Sequence, residues 1–359
     1  MSSNAGKKPR VLVVDDSAFM RRMTSQIIDS SGEFCVIGTA RNGYDALKQI
    51  HALDPDVVTL DVDMPELDGL NALGYIMSEM PRPVVMLSAG TTSNGQAATL
   101  RALELGAVDF VCKPSGSISL DLRLITDQLL AALRAAVATN VSAQRQMPRV
   151  AIDNKAQPSG SHDGAINAVV IASSTGGPRA LTAVLPRLPR TLEAAVLVVQ
   201  HMPAGFTKSL AQRLDAISPL PIEEAVDGDM VVHGRVYVAP GGFHMSVRQT
   251  NAGPRIVLDT SPPIWGVRPA ADVLFRSAAD VFKGSTVAVV LTGMGRDGAE
   301  GTRLVRVAGG RGIAQDRESS TIASMPQAAI DIGGADQVRP LTAVGASIVE
   351  QVDAVRHVP

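Results

Sequence analysis

The sequence predicts an α/β protein built from two doubly wound parallel-sheet domains joined by a linker. Three observations carry that expectation. Short apolar, β-branched runs alternate with longer stretches of helical period, in two separate blocks. A polar segment with few large apolar residues divides the blocks. The chain has 359 residues, 45% of them hydrophobic, and 32 glycines, more than one core usually organises.

Residues 1–9 are polar. The first domain, 10–139, should hold five strands at Val11–Val14, Phe34–Thr39, Val57–Leu60, Val84–Leu87 and Asp109–Val111. None shows polar alternation, so all five are expected to be buried on both faces. Ser17–Asp29 and Gly43–Ala52 have helical spacing, and a Leu- and Ala-rich amphipathic helix spans about Leu120 to Thr139. Right-handed crossovers then give a parallel, flavodoxin-like sheet.

Residues 140–166 read as the linker, rich in Gln, Ser, Pro, Asn, Gly and Asp. The second domain, 167–359, resumes the alternation and is larger and Rossmann-like. Its expected strands include Ala168–Ala172, Ala194–Val199, Arg235–Ala239, Arg255–Leu258 and Thr286–Leu291, with a short one near Arg311–Ala314.

Composition narrows the function class. A net charge of −2 gives no positive field for nucleic acid. Val11–Val14, ending at two aspartates, is too short for a signal-peptide core or a membrane span. Cys35 and Cys112 lie in apolar runs and read as buried free thiols, which fits a reducing cytoplasm.

In a parallel sheet, loops leaving the carboxyl ends of the strands meet in one crevice. In the first domain those ends carry Asp15 and Asp16, Asp61, Ser88, and Lys113 with Pro114. Converging carboxylates make a hard-oxygen site suited to Mg²⁺, and Lys113 can balance an added phosphoryl charge. These residues, with Leu60-Asp61-Val62-Asp63-Met64-Pro65, resemble the receiver domain of two-component response regulators. The resemblance implies Asp61, not Asp63, as phosphoacceptor, and Asp15, Asp16 and Asp61 as metal ligands. It makes Ser88, Phe110 and Lys113 the switch residues.

In the second domain three loops stand out: Ser173-Ser174-Thr175-Gly176-Gly177, Gln200-His201-Met202-Pro203 and Thr292-Gly293-Met294-Gly295-Arg296-Asp297-Gly298. A serine, a histidine and an aspartate there could act as nucleophile, base and orienting acid. The first loop also reads as a plain strand-to-helix turn, and His244 rivals His201. The six histidines have no metal-ligand spacing, which disfavours a zinc hydrolase.

Together these loops resemble the three signatures of the chemotaxis protein-glutamate methylesterase (CheB) family, and the order receiver, linker, catalytic domain extends the match over nearly the whole chain. The resemblance implies Ser174, His201 and Asp297 as the triad; the glycine-rich loop leaves backbone amides at Met294 and Thr175 as candidate oxyanion donors. It implies hydrolysis of glutamate methyl esters, with deamidation of glutamine by the same chemistry and no cofactor for the hydrolysis. The implied partners are the cytoplasmic domains of methyl-accepting chemotaxis receptors and a chemotaxis histidine kinase as phosphodonor.

The chain departs from the family at Ala172-Ser173, where Gly-Ala is usual, so Ser173 also has to be weighed. It departs again at Ala323-Ser324-Met325-Pro326, where a glycine usually precedes Met-Pro. Two other functions compete: a receiver-regulated hydrolase of a different ester, and an output domain that only binds a partner.

Overall fold

A computed structural model describes residues 7–88, 93–113, 118–140 and 167–356. Residues 141–166, most of the expected linker, lie outside the described residues, as do Pro114, His162 and His357. The chain divides into two compact units, Met1–Val141 and Ser142–Pro359.

The first unit runs β1 (Arg10–Val14), α1 (Ala18–Ser30), β2 (Cys35–Ala40), α2 (Gly43–Leu53), β3 (Val57–Asp61) and α3 (Gly69–Glu79). It continues with β4 (Val84–Ser88), α4 (Ser93–Leu105), β5 (Asp109–Cys112) and α5 (Ile118–Val137). The strands pair in parallel in the order β2-β1-β3-β4-β5. Side chains start the helices where sequence places them: Ser17, Asn42 and Asp68 accept N–H bonds from Met20, Asp45 and Asn71. Val11, Val13, Val57 and Val85 pack with Leu129 and Leu133 of α5 on one face of the sheet.

Two expectations fail here for one reason. β2 and β5 are the edge strands, paired only with β1 and with β4, and most of each is half-buried or exposed rather than buried on both faces. Cys35 at the start of β2 is therefore exposed, and Cys112 at the end of β5 is half-buried; neither is the buried thiol that its apolar neighbours suggested. Phe34, one residue earlier, is the side chain that turns into the core.

The second unit runs β6 (Ala168–Ser173), α6 (Gly177–Val184), β7 (Ala195–Gln200), α7 (Phe206–Asp215), β8 (Ile222–Glu224) and β9 (Val236–Val238). There follow β10 (His244–Thr250), β11 (Gly253–Asp259), α8 (Ala271–Phe282), β12 (Thr286–Val290), α9 (Ala299–Val307) and β13 (Arg311–Gln315). α10 (Ser324–Asp331), β14 (Gln337–Arg339) and α11 (Leu341–Arg356) complete it. Seven strands form a parallel sheet in the order β14-β13-β12-β6-β7-β9-β8.

The expected strand Arg255–Leu258 lies in β11, but not in this sheet. It pairs antiparallel with β10 in a separate hairpin. Its short turn, Asn251–Ala252, leaves no room for the helix that a parallel crossover needs. The hairpin packs against α8, where the Val247 N–H donates to Ser277 Oγ at 3.0 Å. The three-residue strands β8 and β14 and the partner strand β10 were not among the expected ones.

β6 sits between β7 and β12, so chain connections leave it in opposite directions. That is a topological switch point, and it opens a crevice at the carboxyl ends of β6, β7 and β12.

Candidate active site

The three loops of the second unit leave these strand ends and are bonded to one another there. The Ser174 N–H donates to Thr292 O and the His201 N–H to Ser173 O, each at 3.0 Å. Gln200 ties two of them again, its amide donating to Ser174 O and His201 O at 3.0 Å. Glycine is required where the loops touch. A Cβ on Gly177 would lie 2.0 Å from Gln200 Oε1, and one on Gly293 would lie 2.7 Å from Ser174 Cβ.

The two serines differ sharply. Ser173 is 0% exposed, and its hydroxyl donates to Gln200 Oε1 at 2.7 Å. Ser174 is half-buried, and among the described residues its hydroxyl has no hydrogen-bond partner. A buried, bonded hydroxyl supports the loop; an open one is available for chemistry.

His201 Nε2 lies 2.7 Å from Asp297 Oδ2, with side chains 10% and 2% exposed. Asp297 also accepts from the Ala271 N–H (2.6 Å) at the same oxygen. Its Oδ1 accepts from the Asp272 and Gly298 N–H groups, both at 3.0 Å. Ala271 and Asp272 open α8, so the carboxylate sits at a helix start, where negative charge is favoured. Burial pushes its carboxyl up; the bond and charge of His201 and the α8 amides outweigh that and hold it below the usual carboxylate range. An ionised acceptor at Nε2 puts the imidazole proton there and leaves Nδ1 with a lone pair.

The rival His244 is buried, with both ring nitrogens engaged. Nδ1 accepts from the Ala270 N–H at 3.2 Å, and Nε2 donates to Pro262 O at 3.1 Å. It has no lone pair left to receive a proton.

Met294 projects into solvent, and among the described residues its N–H has no acceptor. Thr175 is buried, and its carbonyl accepts from Thr292 Oγ1 at 3.0 Å. The unusual Ala323-Ser324-Met325 segment braces the Gly293–Gly295 loop. Ser324 Oγ donates to Gly293 O (2.9 Å) and accepts from the Gly295 N–H (3.1 Å), and the Met325 N–H also donates to Gly293 O (3.0 Å).

Sequence reasoning missed Asp272 and Trp265. Asp272 accepts from Trp265 Nε1 at 2.9 Å and from the Gly301 N–H at 2.7 Å, while its own N–H serves Asp297. Burial raises its carboxyl above the usual range, against the pull of those two bonds. No local motif marks either residue; only the preference for acids in the first turn of a helix was available as a signal.

In the first unit Asp15 and Asp61 are buried and Asp16 is exposed, and one carboxylate oxygen from each lies within 4.8 Å of the others. Lys113 Nζ reaches Asp15 Oδ2 at 2.8 Å and Asp61 Oδ2 at 2.7 Å. Burial pushes the Asp61 carboxyl up to about 6, with Lys113 pulling it back. Asp63, two residues on, is exposed. Ser88 is buried beside this group and accepts from Thr99 Oγ1 at 2.9 Å; its carbonyl takes the Lys113 N–H at 2.7 Å. Phe110 is half-buried on β5. An all-oxygen donor set of this kind fits a hard divalent cation.

A doubly wound unit with acids at its strand ends, preceding an α/β unit with a serine, histidine and aspartate at a switch point, defines a response regulator with a hydrolase output. The family comparisons agree: residues 11–124 match the response regulator receiver domain and residues 169–348 the CheB methylesterase. The chain belongs to the CheB methylesterase family. It is 47% identical to a protein-glutamate methylesterase/protein-glutamine glutaminase of Pyrococcus abyssi, over 98% of this chain and 95% of that one. A protein of the same description from Symbiobacterium thermophilum is 47% identical over 98% and 99% of the two chains. The crystal structure of the Thermotoga maritima CheB methylesterase catalytic domain superposes with a TM-score of 0.51. It is 46% identical and covers 52% of this chain and 98% of that one. Among the described residues no helix is long and apolar enough to cross a membrane.

Proposed function

We propose that this chain hydrolyses glutamate γ-methyl esters on the cytoplasmic domains of methyl-accepting chemotaxis receptors, releasing methanol, and deamidates receptor glutamines by the same route. The observation that carries this reading is the His201–Asp297 pair on loops hydrogen-bonded to the one that carries the open Ser174 hydroxyl, at the switch point of a methylesterase-family sheet. Ser174 Oγ attacks the ester carbonyl as His201 Nδ1 takes its proton. The Thr175 and Met294 N–H groups hold the oxyanion. His201 then returns the proton to the departing methoxide, giving methanol and an acyl-enzyme. Water, deprotonated by the same histidine, resolves the acyl-enzyme to free glutamate and Ser174. Asp297 keeps the proton on Nε2 and stabilises the imidazolium without taking its proton.

The unit boundaries we assign are 10–139 for the receiver, 140–166 for the linker and 167–359 for the catalytic domain, in a cytoplasmic protein. A chemotaxis histidine kinase supplies the phosphoryl group to Asp61, which raises esterase activity through the switch residues Ser88, Phe110 and Lys113. Asp15, Asp16 and Asp61 would hold Mg²⁺, which when bound screens the charge of the transferred phosphoryl group.

The test is methanol release from methylated receptor, with and without a small-molecule phosphodonor. Wild type should be active and stimulated, Asp61→Ala active but unstimulated, and Ser174→Ala inactive. Methanol release that survives in Ser174→Ala would overturn the assignment.

A further inference from the structure

Arg296 precedes the triad acid, yet the hydrolytic chemistry gives it no task. Its guanidinium lies over the Trp265 ring, 4.8 Å from the centroid, and both side chains are exposed, Trp265 by 55%. The platform is fixed from several sides. Trp265 and Gly266 both have positive φ (55° and 80°) in a turn closed by paired Ile264–Val267 backbone bonds of 3.1 and 3.0 Å. A left-handed tryptophan is costly, and such strain persists where surrounding bonds hold it. Here the indole N–H is held by Asp272, whose own N–H holds Asp297. The stack is thus built onto the shell of the triad and stands at its rim with the exposed Met294.

The acids around the stack already have partners. Asp272 takes Trp265 and Gly301, and Asp297 takes His201 and three backbone amides. Glu300, close enough to feel the Arg296 charge, is paired with Arg303. Among the described residues Arg296 has no salt-bridge partner. Stacking uses only the face of a guanidinium and leaves its edge of N–H donors free for a planar carboxylate.

We infer that the Trp265–Arg296 stack is a specificity element that binds a carboxylate of the substrate polypeptide, on an acidic side chain neighbouring the esterified glutamate. The inference rests on the proposed activity. The reacting ester or amide is neutral and offers Arg296 no charge, so the anion recognised must be a different group of the same substrate.

A double-mutant cycle on the full-length protein tests it, using methanol release from a receptor fragment with one methylated glutamate. The fragment is compared with one whose neighbouring acidic residues are alanine. Arg296→Ala should raise KM for the acidic fragment about tenfold, the size of one charge-assisted hydrogen bond, and change kcat far less. Wild type should lose the same factor on the alanine fragment, and Arg296→Ala should lose nothing more there. Arg296→Lys should recover only part, lacking the planar fork. Two results would overturn the inference: additive losses in the cycle, or an equal loss by Arg296→Ala on a small neutral ester, which marks a merely structural role. Wild type that cleaves the neutral ester but neither fragment would overturn the proposed activity itself, and the inference with it.

Discussion

Replacing Asp297 by asparagine should damage the fold and the chemistry together, by amounts the hydrogen bonds set. The carboxylate accepts four bonds: His201 Nε2 and the Ala271 N–H at Oδ2, and the Asp272 and Gly298 N–H groups at Oδ1. An amide has one acceptor end. Turned so that its oxygen keeps the two amides at Oδ1, it sets its NH₂ against the Ala271 N–H, which sits only 2.6 Å away. Turned the other way, it opposes two backbone donors, which is worse. The better orientation loses one charge-assisted bond and leaves one buried donor unsatisfied, costing about 2–4 kcal/mol. For a domain of this size that lowers Tm by about 5–15 °C. The same orientation points an N–H at His201 Nε2, driving the imidazole proton to Nδ1, where the base needs its lone pair. A serine triad held in that tautomer loses about 10⁴-fold in kcat. The pH dependence follows in sign. Because the Asp297 carboxyl is held below the usual range, its stabilisation is complete above about pH 4 and is lost as pH falls through the lowered value. Wild type and Asp297→Asn should therefore converge in Tm on acidification. Methanol release and thermal melting followed by circular dichroism measure both effects. A variant that keeps the wild-type Tm, or a tenth of the wild-type kcat, would refute the reasoning.

Other substitutions separate roles elsewhere. Ser174→Ala should abolish methanol release and leave Tm unchanged, because its hydroxyl has no partner among the described residues. Ser173→Ala should keep measurable activity and lose about 1–3 kcal/mol in urea unfolding, because Gln200 Oε1 is left unpaired. Gly293→Ala, whose Cβ would lie 2.2 Å from Met325 Sδ and 2.7 Å from Ser174 Cβ, should reduce kcat in the methanol assay by displacing the serine. Added Mg²⁺ should raise the melting temperature of wild type and do so far less for Asp16→Ala; an equal rise in both would remove Asp16 from the ligand set.

Runs such as Val11–Val14 and Ala168–Ala172 announced their strands because parallel strands covered on both faces carry no polar alternation. β10 was harder to see: Arg248 and Gln249 interrupt its apolar residues, as suits a hairpin with one face on α8 and one in solvent. The position of β2 at the sheet edge, which exposes Cys35, is a property of strand order that a local window does not carry. The strand-end residues of the site were legible because they follow the strands at once. Asp272 and Trp265 were not, because Asp272 reaches Asp297, more than twenty residues along the chain, only through its backbone amide, and Trp265 reaches it only through Asp272.

The contrast between the open Ser174 hydroxyl and the four-bonded Asp297 carboxylate also sets the order in which this architecture would decay. A lineage that abandoned hydrolysis could discard the serine with no loss of folding free energy, whereas the aspartate would stay under selection as the clasp between the starts of α8 and α9. Retired descendants of such an enzyme would keep the acid and lose the nucleophile, and a retained aspartate alone would be poor evidence that a relative still works.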